Sequence, residues 1–281
     1  GGDTPLSIAC YKGHIDAVRL LLDEGAAIDR ATKDGRTALF VACEKDHVDA
    51  ARLVLERGAD INRAKKGGDT PLSVACYNGH VGAAQLLLDK GAAIDQADEV
   101  GRTPLYAACM KGHVDAARLL LDKGAEVDRA VEKGQWKGAT PLYVACFIGH
   151  VAVATLLLDN GAAVDRANKN GTTPLSIAKQ NCHSYIVGLL EEHLYPLLAA
   201  AKTGDVDAMA RLLDGGAEIN QATENGTTPL WTACENGHVD AARMLLDKGA
   251  EIDRANDEGS TPLDIAKRRQ YHAMSCDSHH L

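Results

Sequence analysis

The chain has 281 residues; with 46% hydrophobic but only 4% aromatic composition, its interior must be built mainly from Ala and Leu, which suits thin layers pressed closely together. Its 30 basic and 39 acidic side chains leave a net charge of −9, which argues against a nonspecific phosphate-binding surface and hence against nucleic acid as the partner. No stretch approaches the ~20 apolar residues that span a bilayer, and G-x-x-x-x-G-K-[ST], H-E-x-x-H and G-x-S-x-G are all missing, so no enzyme, no cofactor and no membrane segment are expected.

The prolines set the organisation. Pro5, Pro71, Pro104, Pro141, Pro174, Pro196, Pro229 and Pro262 each open a near-copy of T-P-L-x-x-A-C, and Ala38 fills the empty slot, with steps of 33, 33, 33, 37, 33, 22, 33 and 33 residues. A fixed period near 33 means a stack of small supersecondary units and not one central core. Gly1-Gly2-Asp3-Thr4-Pro5-Leu6 duplicates Gly67-Gly68-Asp69-Thr70-Pro71-Leu72, so the chain opens inside a unit and is read as a piece of a longer protein.

Within a unit, counted from its proline as position 0, position −1 is Thr in eight of nine copies, Tyr195 being the exception. Thr is a good N-cap, and Pro is favoured at the first helical position, where its missing N–H costs nothing. Leu at +1, Ala at +4 and Cys at +5, as in Leu6, Ala9 and Cys10, share one face of a short helix. Glycines at +8, such as Gly13 and Gly79, end it. A second helix follows, with Ile15, Val18, Leu21 and Leu22 on one face in the first unit and Gly25 as its stop. An extended stretch such as 27–31 and a turn at Asp34-Gly35 complete a helix, turn, helix and projecting hairpin.

This unit resembles the ankyrin repeat in period and in its T-P-L signature. The resemblance covers nearly the whole chain and implies an all-α solenoid of about nine stacked helix-turn-helix units with β-hairpin fingers. It also implies a noncatalytic scaffold that binds a protein partner. One column departs from the family. Where His is common at +2, this chain has Ser7, Phe40, Ser73, Tyr106, Tyr143, Ser176, Leu198, Trp231 and Asp264, so other groups must satisfy the loop polar atoms that His serves. Asn62 and Asn220 match the hairpin position that is hydroxylated in some members.

Two steps break the lattice. The step of 37 enlarges the finger around residues 131–138 and places Trp136 on it, expected as an exposed contact residue, with folding back onto a neighbouring hairpin as the alternative. The step of 22 removes about one hairpin, and Lys179 and Lys267 stand where most units have Cys. The expected organisation is therefore residues 1–194 as units one to six and 195–281 as units seven to nine, stacked on with a seam near Leu194.

Six of the eight cysteines sit at +5, where stacking holds neighbours about 10 Å apart, beyond disulfide reach. No C-x-x-C pair exists, so these read as buried thiols of a reducing, cytoplasmic or nuclear compartment. Seven histidines at +9, His14, His47, His80, His113, His150, His183 and His238, repeat one structural role; the resemblance assigns them to the junction between units. The cluster Cys276-Asp277-Ser278-His279-His280 is read as a disordered tail and not as a metal site.

The family binds partners through hairpin tips and the exposed end of the first helix. Carried over by position, and restricted to columns that vary from copy to copy, the candidate partner-binding residues are Tyr11, Arg36, Tyr77, Arg102, Met110, Lys111, Trp136, Lys137, Phe147 and Ile148. The chain is expected to act as a monomer. The alternative is that the array targets substrates for a larger enzyme, a kinase or ubiquitin ligase component, whose catalytic domain lies outside this stretch.

Overall fold

In the computed structural model, which describes residues 2–268, the chain is helices joined by turns and bends, with no strand among those residues. The helices come in pairs: α1 (Pro5–Lys12) with α2 (Ile15–Asp23), α3 (Ala38–Glu44) with α4 (Val48–Glu56), α5 (Pro71–Asn78) with α6 (Val81–Asp89), and α7 (Pro104–Lys111) with α8 (Val114–Asp122). These are followed by α9 (Pro141–Ile148) with α10 (Val151–Asp159), α11 (Pro174–Gln180) with α12 (Ser184–Leu194), α13 (Pro196–Thr203) with α14 (Val206–Asp214), and α15 (Pro229–Asn236) with α16 (Val239–Asp247). Residues 262–268 are again helical. The segment from Tyr271 to Leu281, including the Cys276 to His280 cluster, lies outside the described residues.

The chain divides into two compact units at Val187 and Gly188, inside α12. In the first, each first helix lies on the next (α1 on α3, α3 on α5, α5 on α7, α7 on α9, α9 on α11), and each second helix likewise from α2 to α10. The second repeats this arrangement with α13 on α15 and α14 on α16, around a core of Leu197, Ala201, Met209, Leu230, Ala233 and Leu245.

The capping expected from sequence is present. Thr4 has extended backbone and its side chain accepts the Ser7 N–H, and Thr37, Thr70, Thr103, Thr140, Thr173 and Thr228 do the same at their helices. Each such cap contributes about 1 kcal/mol. Tyr195 makes no side-chain cap. At +8 the backbone is left-handed, as at Gly204 with φ 73°. Asp46 (φ 57°) and Cys182 (φ 58°) hold the same conformation without being glycine.

Inside, Leu39, Leu72, Leu105 and Leu142 at +1 and Ala42, Ala75, Ala108 and Ala145 at +4 are essentially inaccessible to solvent. Small alanines at the helix contact allow this close approach. The +2 column alternates over the first four units. Phe40 and Tyr106 are buried to about 1% exposure and fill the space above their helices, whereas Ser7 and Ser73 leave it open. Each of these serines turns its hydroxyl back on its own N-cap: Ser73 Oγ accepts the Thr70 N–H at 2.8 Å and donates to the Thr70 carbonyl at 3.0 Å. Ser thus answers locally the polar atoms that the missing His would have served.

The expected β-hairpin fingers are tight turns without strand pairing. In the first, the Thr32 N–H donates to the Arg36 carbonyl and the Gly35 N–H to Thr32, which leaves too few paired residues for a ladder. Successive fingers are joined by backbone hydrogen bonds: Lys66 N–H to the Asp34 carbonyl, Glu99 to Gly67, Glu132 and Lys133 to Val100, and Lys169 to Lys137. A second tether runs at the base of the fingers. Asp29 accepts the Asp60 N–H, Asn62 that of Ala93, Asp95 that of Glu126, Asp128 that of Ala163 and Asn220 that of Glu251.

Candidate functional site

The C-terminal ends of the first helices project one or two side chains clear of the helix contacts. There the structure places Tyr11 on α1, Tyr77 on α5, Met110 and Lys111 on α7, and Phe147 and Ile148 on α9. Tyr11, Tyr77 and Ile148 are 38–39% exposed, high for large apolar side chains, and Lys111 is exposed, while Met110 and Phe147 are half-buried. Two of the tyrosines carry a cation from the next pair: Lys45 Nζ lies 4.9 Å from the Tyr11 ring centre and Lys111 Nζ 4.6 Å from that of Tyr77. A cation over the ring face is attracted by its quadrupole, by about 0.5–1 kcal/mol at exposed sites.

Trp136 is placed differently from the exposed finger tip expected. Its ring is half-buried and meets Phe147 edge-on at 4.9 Å and Tyr143 at 6.5 Å, so the enlarged finger folds back onto α9, the helix that follows it, and not onto a hairpin. Edge-to-face contact and burial hold it there in preference to water. Tyr143, 3% exposed, is fixed from the other side by Asn168, whose Nδ2 donates to the phenol oxygen at 3.1 Å. Lys137 stands exposed beside this cluster.

Arg36 and Arg102 are tied to their own fingers. Arg102 Nε donates to Asp98 Oδ2 at 2.6 Å, and Asp98, its side chain 2% exposed, also accepts the Val100 and Arg102 N–H groups. Arg36 Nε lies 2.7 Å from Asp34 Oδ2, with Nη1 3.5 Å from Glu44 Oε2. Arg102 also lines the surface here.

The alternation at +2 has a consequence for this surface. One hollow of about 350 Å³ is lined by Asp3, Ser7, Ile8, Tyr11, Lys12, Arg36 and Val41. Another of about 350 Å³ is lined by Asp69, Ser73, Val74, Tyr77, Asn78, Arg102 and Ala107, together with Glu44, Lys65 and Met110. Position for position these are one hollow repeated after two units: Asp at −2, Ser at +2, a branched aliphatic at +3, Tyr at +6, then Arg at −2 of the next unit. Sequence inspection picked out the tyrosines and arginines but not the serines, although the alternation of Ser with Phe or Tyr was visible in the +2 column.

The repeated Cys and His columns are structural. Burial pushes the Cys10, Cys76 and Cys146 thiols up to about 12 and raises those of Cys43 and Cys109 further, so they stay protonated and unreactive. His47 Nε2 donates to the Tyr11 carbonyl at 3.0 Å, His80 to Glu44, His183 to Phe147 and His238 to Lys202, in each case the +6 carbonyl of the preceding pair. Asn62 and Asn220 spend their side-chain oxygens on the tether at the finger base. Among the described residues, no three His, Cys, Asp or Glu side chains gather in the manner of a metal site, and no helix is long and apolar enough to cross a membrane.

A larger hollow of about 530 Å³ lies in the second unit between α15, α16 and residues 262–268. It is walled by Leu230, Val239, Leu246, Ile252 and Leu263, the composition of the contact that joins one pair to the next.

A family model described as ankyrin repeats in three copies matches residues 1–65, 62–131 and 197–275, and another, described as ankyrin repeats in many copies, matches residues 105–158. No curated protein matches the chain. Paired helices stacked first on first and second on second, with Thr-Pro caps, left-handed stops and bonded fingers, agree with those matches over more than half of the length, and the chain belongs to the ankyrin repeat family.

Proposed function

We propose that this chain is a noncatalytic scaffold that holds a protein partner on the surface formed by its fingers and the C-terminal ends of its first helices. Ankyrin repeats are in general protein–protein interaction modules. The observation that carries the reading for this chain is the row of exposed apolar side chains, Tyr11, Tyr77 and Ile148, at equivalent helix ends, interleaved with Lys45 and Lys111. Aromatic and aliphatic anchors with basic neighbours are the usual composition of an interface centre. The buried thiols fit a reducing compartment, and the net charge of −9 disfavours nucleic acid.

The test is a photoreactive side chain placed at Ile148 or at Arg118, the latter exposed on the second helix α8. One dominant adduct from position 148 and none from 118 is expected in cell extract. Adducts from 118 with none from 148 would place the interface on the opposite face and refute the proposal.

A further inference from the structure

The two equivalent hollows point to a ligand with two equivalent side chains. Resting on the scaffold reading above, we propose that the first compact unit is a bivalent receptor for an extended acidic segment, with one carboxylate seated beside Tyr11 and a second beside Tyr77. Three observations carry this. The hollows have the same volume, and Asp, Ser, a branched aliphatic, Tyr and Arg recur in them at the same positions, two units apart. The unit between them cannot supply a third like them, because Phe40 fills the place that Ser7 and Ser73 leave open. Third, the charges select the guest.

At both hollows the tyrosine already carries a lysine from its own chain, Lys45 or Lys111, so a cationic guest meets a repelling ammonium. The acidic groups of the second hollow are answered internally, Asp69 by Lys65 at 2.7 Å and Glu44 by Arg36 at 3.5 Å. Arg102 is likewise answered by Asp98, which leaves the Lys111 ammonium, stacked on Tyr77 beside the hollow, as the cation without a carboxylate. The first hollow sets Lys12 and Lys45 about its tyrosine against one lining carboxylate, Asp3, its Arg36 being held by Asp34 and Glu44. A carboxylate is the guest that these donors complete. Neighbouring units lie about 10 Å apart, so the hollows stand about 20 Å apart, a span that six residues of extended chain cover at about 3.4 Å each. Two weak seats at that spacing reinforce each other, because filling the first raises the local concentration of the second carboxylate.

The probe is an end-capped Ser/Thr peptide of about 13 residues with two glutamates six apart, titrated into the full chain at low salt while the Tyr11 and Tyr77 ring resonances are followed by NMR. Both rings should shift together, and the peptide should bind at least about tenfold more tightly than its single-glutamate version. Ser7→Tyr and Ser73→Tyr, which copy the side chain that Tyr106 carries at the same position of its helix, should each reduce binding to the single-glutamate level while helix content is kept. Equal affinity of the one- and two-glutamate peptides, equal binding of a two-lysine peptide, or full binding by both tyrosine variants would each overturn the proposal. Any of these together with a position-148 adduct would leave the scaffold reading standing and remove only bivalent acid recognition. Adducts from position 118 with none from 148 would remove both.

Discussion

Gly204 and Gly216 provide a matched pair that separates backbone strain from steric contact. Both flank α14, both are left-handed (φ 73° and 90°), and they differ in surroundings. A Cβ at Gly216 meets nothing within 4 Å, whereas one at Gly204 falls 2.7 Å from His238 Cγ and Nδ1. The His238 ring cannot simply retreat, because its Nε2 donates to the Lys202 carbonyl at 3.1 Å. Gly216→Ala should therefore cost only the left-handed penalty, about 1 kcal/mol. Gly204→Ala adds overpacking against a tethered ring, typically 1–3 kcal/mol, for a total of about 2–4 kcal/mol. Urea unfolding followed by Trp231 fluorescence in a Trp136→Phe background reads this unit, since Trp231 lies in α15. Adding His238→Ala to Gly204→Ala should recover part of the loss, a coupling that a double-mutant cycle reports. Equal destabilisation by the two alanine variants, or no recovery, would refute the view that contact with His238 adds to the backbone strain at Gly204.

Further outcomes follow from the same geometry. Cys182→Gly should raise stability by about 0.5–1 kcal/mol by relieving a left-handed non-glycine, whereas Asp46→Gly should gain little in thermal denaturation because it forfeits the carboxylate bond to the Ala83 N–H. Asp98→Ala should cost about 2–3 kcal/mol in urea titration and Asp34→Ala less than about 1 kcal/mol, since Asp98 is buried with three donors while Asp34 is 55% exposed. The buried thiols titrate at about 12 when folded against 9 when free, so the folded chain holds its protons longer and the stability this confers is complete below pH 9 and lost as pH rises from 9 toward 12. Each thiol adds a slope of about 1.4 kcal/mol per pH unit in that window, and Cys76→Ala should flatten the alkaline limb by that amount.

Much of this architecture was legible because it is periodic. Thr-Pro at the start of a helix and glycine at its end act locally, and nine copies in phase fixed which residues face inward. What escaped was what depends on pairs of units. Trp136 was expected at a free tip because its loop is longer than the others, but the loop's length gave it reach to Phe147 and Tyr143 on the following helix. Arg36 and Arg102 looked like available contacts; their aspartate partners lie within four residues, close enough to have been suspected. The hollows depended on two columns at once, the size of +2 and the identity of +6, and reading columns singly hid them.

The +2 column also bears on how such a surface changes over time. Serine leaves a vacancy and tyrosine closes it, and both are borne by the same Thr-capped helix. Some serine codons are a single nucleotide from a tyrosine codon, so the count of openings along an array can rise or fall by one without disturbing the backbone or its joints. Valence in this architecture is therefore a cheap heritable variable, adjustable separately from the stability of the stack that carries it.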